Sequence, residues 1–130
     1  MNTLPYLLLR LAVGVSLFGH GLVRLPKLAA FSHWMVASFE KSILPQALVT
    51  PFSYVLPVAE FTIGLLLIIG LFTRAALIAG SLVMMALTFG CCMIENWEAI
   101  PSQLLHAAIL VVLLQFVESN TRSIDQLMAK

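Results

Sequence analysis

The sequence predicts an all-α protein, a four-helix transmembrane bundle with an amphipathic helix lying at the membrane interface between the first and second spans. Three observations carry that expectation. The 130-residue chain is 61% hydrophobic and 10% charged, where a soluble domain has roughly 45–50% and about 25%, and its mean hydropathy is +1.02. A chain this short cannot hide so much apolar surface in its own core, whereas lipid solvates it. The apolar residues also collect in four runs, 4–23, 52–72, 75–94 and 103–117, each near the ~20 residues that cross a bilayer as a helix. Backbone in lipid must satisfy its own hydrogen bonds, so each run is expected to be helical, all within one membrane domain spanning 1–130.

The first run lies in MNTLPYLLLRLAVGVSLFGHGLVRLPK. A cleaved leader would place basic residues before its apolar stretch and a small-residue site after it. Here Arg10 falls inside the stretch and no such site follows, so the run reads as a retained span. Gly14, Gly19 and Gly21 suit close helix approach. Between the first and second runs, Phe31, Trp34, Met35 and Phe39 form one helical face, while Ser32, His33, Val36, Glu40 and Lys41 form much of the other. That pattern, with Trp at its edge, predicts an interfacial helix started by Pro26 and stopped by Pro45. The second run carries a lone carboxylate, Glu60, in SYVLPVAEFTIGLLLIIGLFTR. The connection GLFTR is so short that the second and third runs must be antiparallel neighbours. The fourth run is the shortest, extendable at either end, and the tail ESNTRSIDQLMAK is polar and expected to be exposed.

Antiparallel threading sorts the polar residues by depth. His20 falls near the end of the first helix, Glu60 in the early half of the second, Cys91 and Cys92 near the end of the third, and His106 near the start of the fourth. All belong to one half of the membrane. Arg10, Arg74 and Glu118 belong to the other, with Arg10 expected to snorkel and Glu118 as its candidate partner. An ionised carboxylate at bilayer depth costs about 2.5–3.5 kcal/mol even on lenient scales. Glu60 therefore needs a proton, a partner or a polar cavity. By depth His20 is the nearest candidate partner, with Arg24 and Lys27 just beyond.

The same composition narrows the function classes. A net charge of +1 with dispersed basic residues excludes a nucleic-acid surface. Adjacent Cys91 and Cys92 have Cα atoms about 3.8 Å apart, too close for an unstrained disulfide, and a redox role for them is left open. Haem held by His20 and His106, or a metal completed by Glu60, has no ligand spacing behind it. The count of Lys and Arg favours both termini in the cytoplasm.

The stretches RLAVGVSLFGHGLVRLPKL and PVAEFTIGLLLIIGLFTRAAL together resemble the DoxX family of small bacterial membrane proteins. The shared features are a glycine-rich first helix ending in His-Gly with a basic residue soon after, a second-helix glutamate, and the Gly-Leu-Phe-Thr-Arg turn, over roughly residues 8–90. The resemblance implies a four-helix bundle in the bacterial inner membrane and an association with quinone-linked or thiol redox chemistry. It places His20, Glu60 and Arg74 on family-like positions, with Arg24 or Lys27 as the basic residue. The expected ligand is then a quinone, held by His20, Glu60, Arg24, Lys27 and His106, with Phe18 and Phe61 along its tail. Expected partners are lipid, a redox partner protein and further copies of the chain. The alternative is a non-catalytic membrane scaffold or assembly subunit that recruits a partner protein or lipid.

Overall fold

The computed structural model describes residues 1–129. Among them the regular structure is helical, in the order α1 (Thr3–Arg24), α2 (Leu28–Ser38), α3 (Gln46–Ile69), α4 (Thr73–Met93), α5 (Ile100–Gln115) and α6 (Ile124–Met128), with short 3-10 turns at Leu25–Lys27, Trp97–Ala99 and Val117–Ser119. Four helical stretches are long and apolar enough to cross a membrane, namely Thr3–Ser38 (α1 continued into α2), Gln46–Ile69, Thr73–Met93 and Trp97–Gln115. Their outward faces carry exposed apolar side chains such as Leu8, Val55, Leu82 and Leu105, the residues that lipid covers. The chain is an all-α bundle of the expected class.

The tightest crossing joins α1 to α3, and glycine makes it possible. A Cβ built on Gly64 would come within 2.6 Å of the Phe18 Cα and 2.7 Å of the Gly14 carbonyl oxygen, and one on Gly21 within 2.6 Å of the Pro57 carbonyl oxygen. These obstacles are backbone, which cannot swing aside, so the two helices touch main chain to main chain. Gly19, grouped with Gly14 and Gly21 by sequence, has nothing within 4 Å of such a Cβ and takes no part. Inside the bundle Val13, Leu17, Leu67, Leu77, Leu110 and Leu113 form the apolar core.

α3 starts at Gln46, well before residue 52. Pro45, extended at φ −72° and ψ 146°, precedes its first turn, and Pro51 and Pro57 lie inside it. Proline weakens a helix interior by removing an N–H, yet the helix runs through both. Membrane helices tolerate it where a neighbour covers the gap. Pro57 is buried, and its carbonyl meets Gly21 of α1. The helix ends on Gly70, at φ 72°, with its N–H and that of Leu71 donating to the Leu66 carbonyl. Phe72, also left-handed at φ 49°, completes the reversal into α4.

The tail departs from expectation in part: Glu118, Thr121, Arg122 and the residues from Leu127 on are exposed, but Asn120 is buried and residues 123–126 are half-buried against the bundle. Arg10 is only 2% exposed. Its Nε donates to the Leu67 carbonyl at 2.8 Å, and its Nη1 to Asn120 Oδ1 at 2.6 Å and the Arg122 carbonyl at 3.1 Å. Asn120 Nδ2 donates to Thr73 Oγ1 at 3.0 Å. The Asp125 carboxylate accepts from the backbone N–H of Phe72 at 2.7 Å and of Thr73 at 2.8 Å, while the Asp125 N–H donates to the Gly70 carbonyl at 2.9 Å. The reason is helix-end chemistry. Leu67 lies in the last turn of α3, where carbonyls lack helical partners and the dipole favours a cation. Phe72 and Thr73 open α4, whose free N–H groups favour an anion. Arg10 therefore turns inward and does not snorkel, and Glu118 is exposed and forms no ion pair with it.

Candidate functional site

At the opposite end of the bundle, α1, α2, α3, α4 and α5 line a half-open cavity of about 280 Å³. It owes its roof to a break in the backbone. α1 runs into the 3-10 turn at Leu25–Lys27, and Lys27 leaves the helical region at φ −135°, ψ 43°. The chain turns there and α2 packs back on α3, with Met35 buried beside Val49 and Leu56 and the Ser32 hydroxyl 2.7 Å from that of Ser53. Phe31, Trp34, Met35 and Phe39, the apolar face read from sequence, all line the cavity. Ser32, assigned to the polar face, is buried against α3 instead, because Ser53 offers it a hydroxyl partner.

His20, Arg24, Glu60, Cys91, Gln103 and His106 reach the same cavity from the other helices. Glu60 is 3% exposed. Its partner is Arg24, whose Nη1 donates to Oε1 at 3.0 Å in the one ion pair among the described residues. His20, the nearest candidate by depth, has its ring elsewhere, with Nδ1 2.6 Å from the Ser16 carbonyl one turn back. Arg24 lies a turn beyond His20 on the same face of α1, and its longer fork spans the gap. Its guanidinium also sits 4.6 Å from the centre of the Phe31 ring, a cation–π contact that holds the charge against the roof. Lys27 is exposed and does not line the cavity. The break in the helix at that residue carries its side chain away.

The two histidines meet edge to face, with ring centres 6.1 Å apart. His106 Nδ1 lies 2.7 Å from the Ser102 carbonyl, and its Nε2 is 2.7 Å from the Ser16 hydroxyl. Ser16 thus ties α1 to α5. Gln103 Nε2 donates to the Cys91 sulfur at 3.2 Å, while its Oε1 is buried without a partner. Cys92 is not part of the wall, and Phe18 and Phe61 stack on each other at 4.8 Å away from it. Sequence reading missed Ser16 and Gln103. Ser16 lies mid-helix, where a serine reads as a small packing residue, and only the α4–α5 packing shows that Gln103 faces inward. Among the described residues no three His, Cys, Asp or Glu side chains cluster closely enough to hold a metal ion.

The fold and this cavity define a class, that of a small multi-pass membrane protein with a charged, aromatic-roofed pocket at one end of a helical bundle. The chain belongs to the DoxX family, whose model matches residues 6–92. The match takes in His20, Arg24, Glu60 and Cys91 and ends before Gln103 and His106. Comparison with curated proteins and with solved structures found no match.

Proposed function

We propose that this DoxX-family protein binds the headgroup of a quinone in the cavity between α1 and α5, in the service of quinone-linked or thiol redox chemistry in the bacterial inner membrane, with both termini cytoplasmic. One observation carries the reading. The one ion pair among the described residues, Arg24–Glu60, lies in the wall of a cavity of about 280 Å³ beside His20 and under Phe31 and Trp34. Ligand pockets usually measure about 300–1,000 Å³, so this one suits a single ring and leaves a prenyl tail outside among lipid chains. Arg24 supplies a donor for a carbonyl oxygen, Glu60 and His20 supply proton-accepting groups, and the aromatic roof supplies a stacking surface. Cys91 in the same wall gives a thiol its place in such chemistry. A soluble redox partner or further copies of the chain would complete the assembly.

The test is direct titration of the purified protein in lipid nanodiscs with a short-tailed benzoquinone, followed by quenching of the Trp34 signal in a Trp97→Phe background. Saturable binding is expected, weakened by about tenfold, or ~1.4 kcal/mol, in Glu60→Gln. Unchanged affinity in that variant, with a less stable bundle, favours the alternative of a scaffold whose polar groups only join helices.

A further inference from the structure

We infer that the outer side of α2 carries a second site, a seat for the headgroup of a zwitterionic phospholipid with a primary ammonium, of which phosphatidylethanolamine is the type. It lies apart from the quinone cavity and goes beyond that reading. Between α2, the 39–45 connection and the opening turns of α3 is a half-open pocket of about 590 Å³, within the range that takes a small organic group. Its polar wall is made by Ser32, His33, Glu40, Gln46, Thr50 and Tyr54, and the rest is apolar, Leu44 and Val49 among it.

The place of this pocket in the fold puts it within reach of lipid. Gln46 is the first residue of a helix that crosses the membrane, so the pocket lies at headgroup depth. The connection beside it exposes Ile43 to 85%, and along α3 Leu48, Tyr54, Val55 and Val58 are exposed as well. Those four share the outward face of α3 at helical spacing. Tyr54 thus belongs both to the pocket wall and to the strip that acyl chains cover. A headgroup seated in the pocket leaves its chains on an apolar surface that faces lipid already.

Charge selects the headgroup. Glu40 is the one carboxylate in the wall, no Lys or Arg lines it, and Glu40 takes part in no ion pair among the described residues. The Gln46 amide, the Thr50 and Tyr54 hydroxyls and the His33 ring both give and take hydrogen bonds, so they favour neither sign. Ser32 differs. Ser53 Oγ donates to the Thr50 carbonyl at 2.6 Å, so the hydrogen between the two serines, 2.7 Å apart, comes from Ser32. Ser32 Oγ, in a residue 2% exposed, is left with lone pairs alone. A primary ammonium brings N–H groups for the carboxylate and for that oxygen, whereas a quaternary one has none. The Tyr54 ring adds a face for the cation. Lys41, next in sequence, is exposed and outside the wall, free to meet the phosphate of the same headgroup. Glu40 is itself exposed, as a group that meets a headgroup at the aqueous boundary must be, and the preference it gives is modest.

The experiment is native mass spectrometry of the full chain released from micelles that hold phosphatidylethanolamine and phosphatidylglycerol with matched acyl chains in equal amounts. A parallel run replaces the second lipid with phosphatidylcholine. Phosphatidylethanolamine is expected to be retained about threefold over either competitor. Glu40→Gln is expected to bring its ratio to phosphatidylglycerol to parity. Glu98→Gln, which removes an exposed carboxylate outside both pockets, is expected to leave that ratio in place. Equal retention in the wild type overturns the inference, as does a ratio that Glu40→Gln leaves unmoved or that Glu98→Gln moves as far. Phosphatidylcholine held as well as phosphatidylethanolamine overturns the primary ammonium. Displacement of the lipid by an equal concentration of glycerophosphoethanolamine, the headgroup without its chains, overturns the assignment to a lipid.

Discussion

At the scale of the residue, the Arg24–Glu60 pair separates what a sequence can say from what it cannot. That Glu60 needs compensation is legible, because a carboxylate in an apolar run has few ways to survive. That Arg24 supplies it is not, since depth along a helix favours His20 and only three-dimensional reach decides. Arg24 is 30% exposed and Glu60 3%, so removing the cation strands the less solvated partner. Breaking a fully buried pair costs about 3–5 kcal/mol. With one partner partly solvated, Arg24→Met is expected to cost about 1–3 kcal/mol, and Glu60→Gln less. Adding Glu60→Gln to Arg24→Met should recover part of the loss, a coupling readable in a double-mutant cycle of thermal unfolding in detergent. Additive costs would mean that the pair contributes nothing jointly.

At the scale of the element, glycine divides by position. Three in the first helix look alike in sequence, and the crossing with α3 uses Gly14 and Gly21 but not Gly19. Gly64→Ala pushes a methyl into the backbone of Phe18 and is expected to cost about 1–3 kcal/mol, as overpacking does. Gly19→Ala is expected to be neutral or stabilising by up to ~1 kcal/mol through helix propensity. Thermal midpoints of the two variants in one detergent check both. The existence of α1, α3, α4 and α5 was readable from hydropathy because lipid imposes the helix. The start of α3 at Gln46 and the seating of Ser32 on Ser53 were not, because each depends on a neighbour that sequence periodicity does not contain.

α6 shows the same limit from the polar side, since its composition reads as a free tail while Asp125 caps the first turn of α4. Burial by itself would raise the Asp125 carboxyl. The hydrogen bonds from Thr73 and the Phe72 N–H, with Arg10 nearby, outweigh it and hold the group below its ordinary value of 3.8. A carboxylate whose folded pKa is depressed contributes stability that is fully present above the unfolded value and is lost as pH falls through the folded one. Docking of the tail is therefore expected to be constant from neutral pH down to about 4, and to weaken in stronger acid. Amide exchange at Phe72 and Thr73 should follow that course, and Asp125→Ala should show fast exchange at those amides at every pH. A tail that loosens as pH rises toward neutral would contradict the assignment.

At the scale of the whole molecule, the two ends differ in kind. One is tied by Arg10, Asn120, Thr73 and Asp125 across α1, α3, α4 and the tail. The other holds the cavity under α2, joined to α1 through the non-helical Lys27 and to α3 by the Ser32–Ser53 contact at 2.7 Å. α2 thus forms a cap over one side of a half-open cavity. Stapling that cap shut with the paired changes Ser32→Cys and Ser53→Cys, oxidised to a disulfide, should slow both the entry and the escape of a headgroup and leave its equilibrium occupancy almost unaltered. Stopped-flow traces of the tethered and reduced forms would show the doorway by its delay.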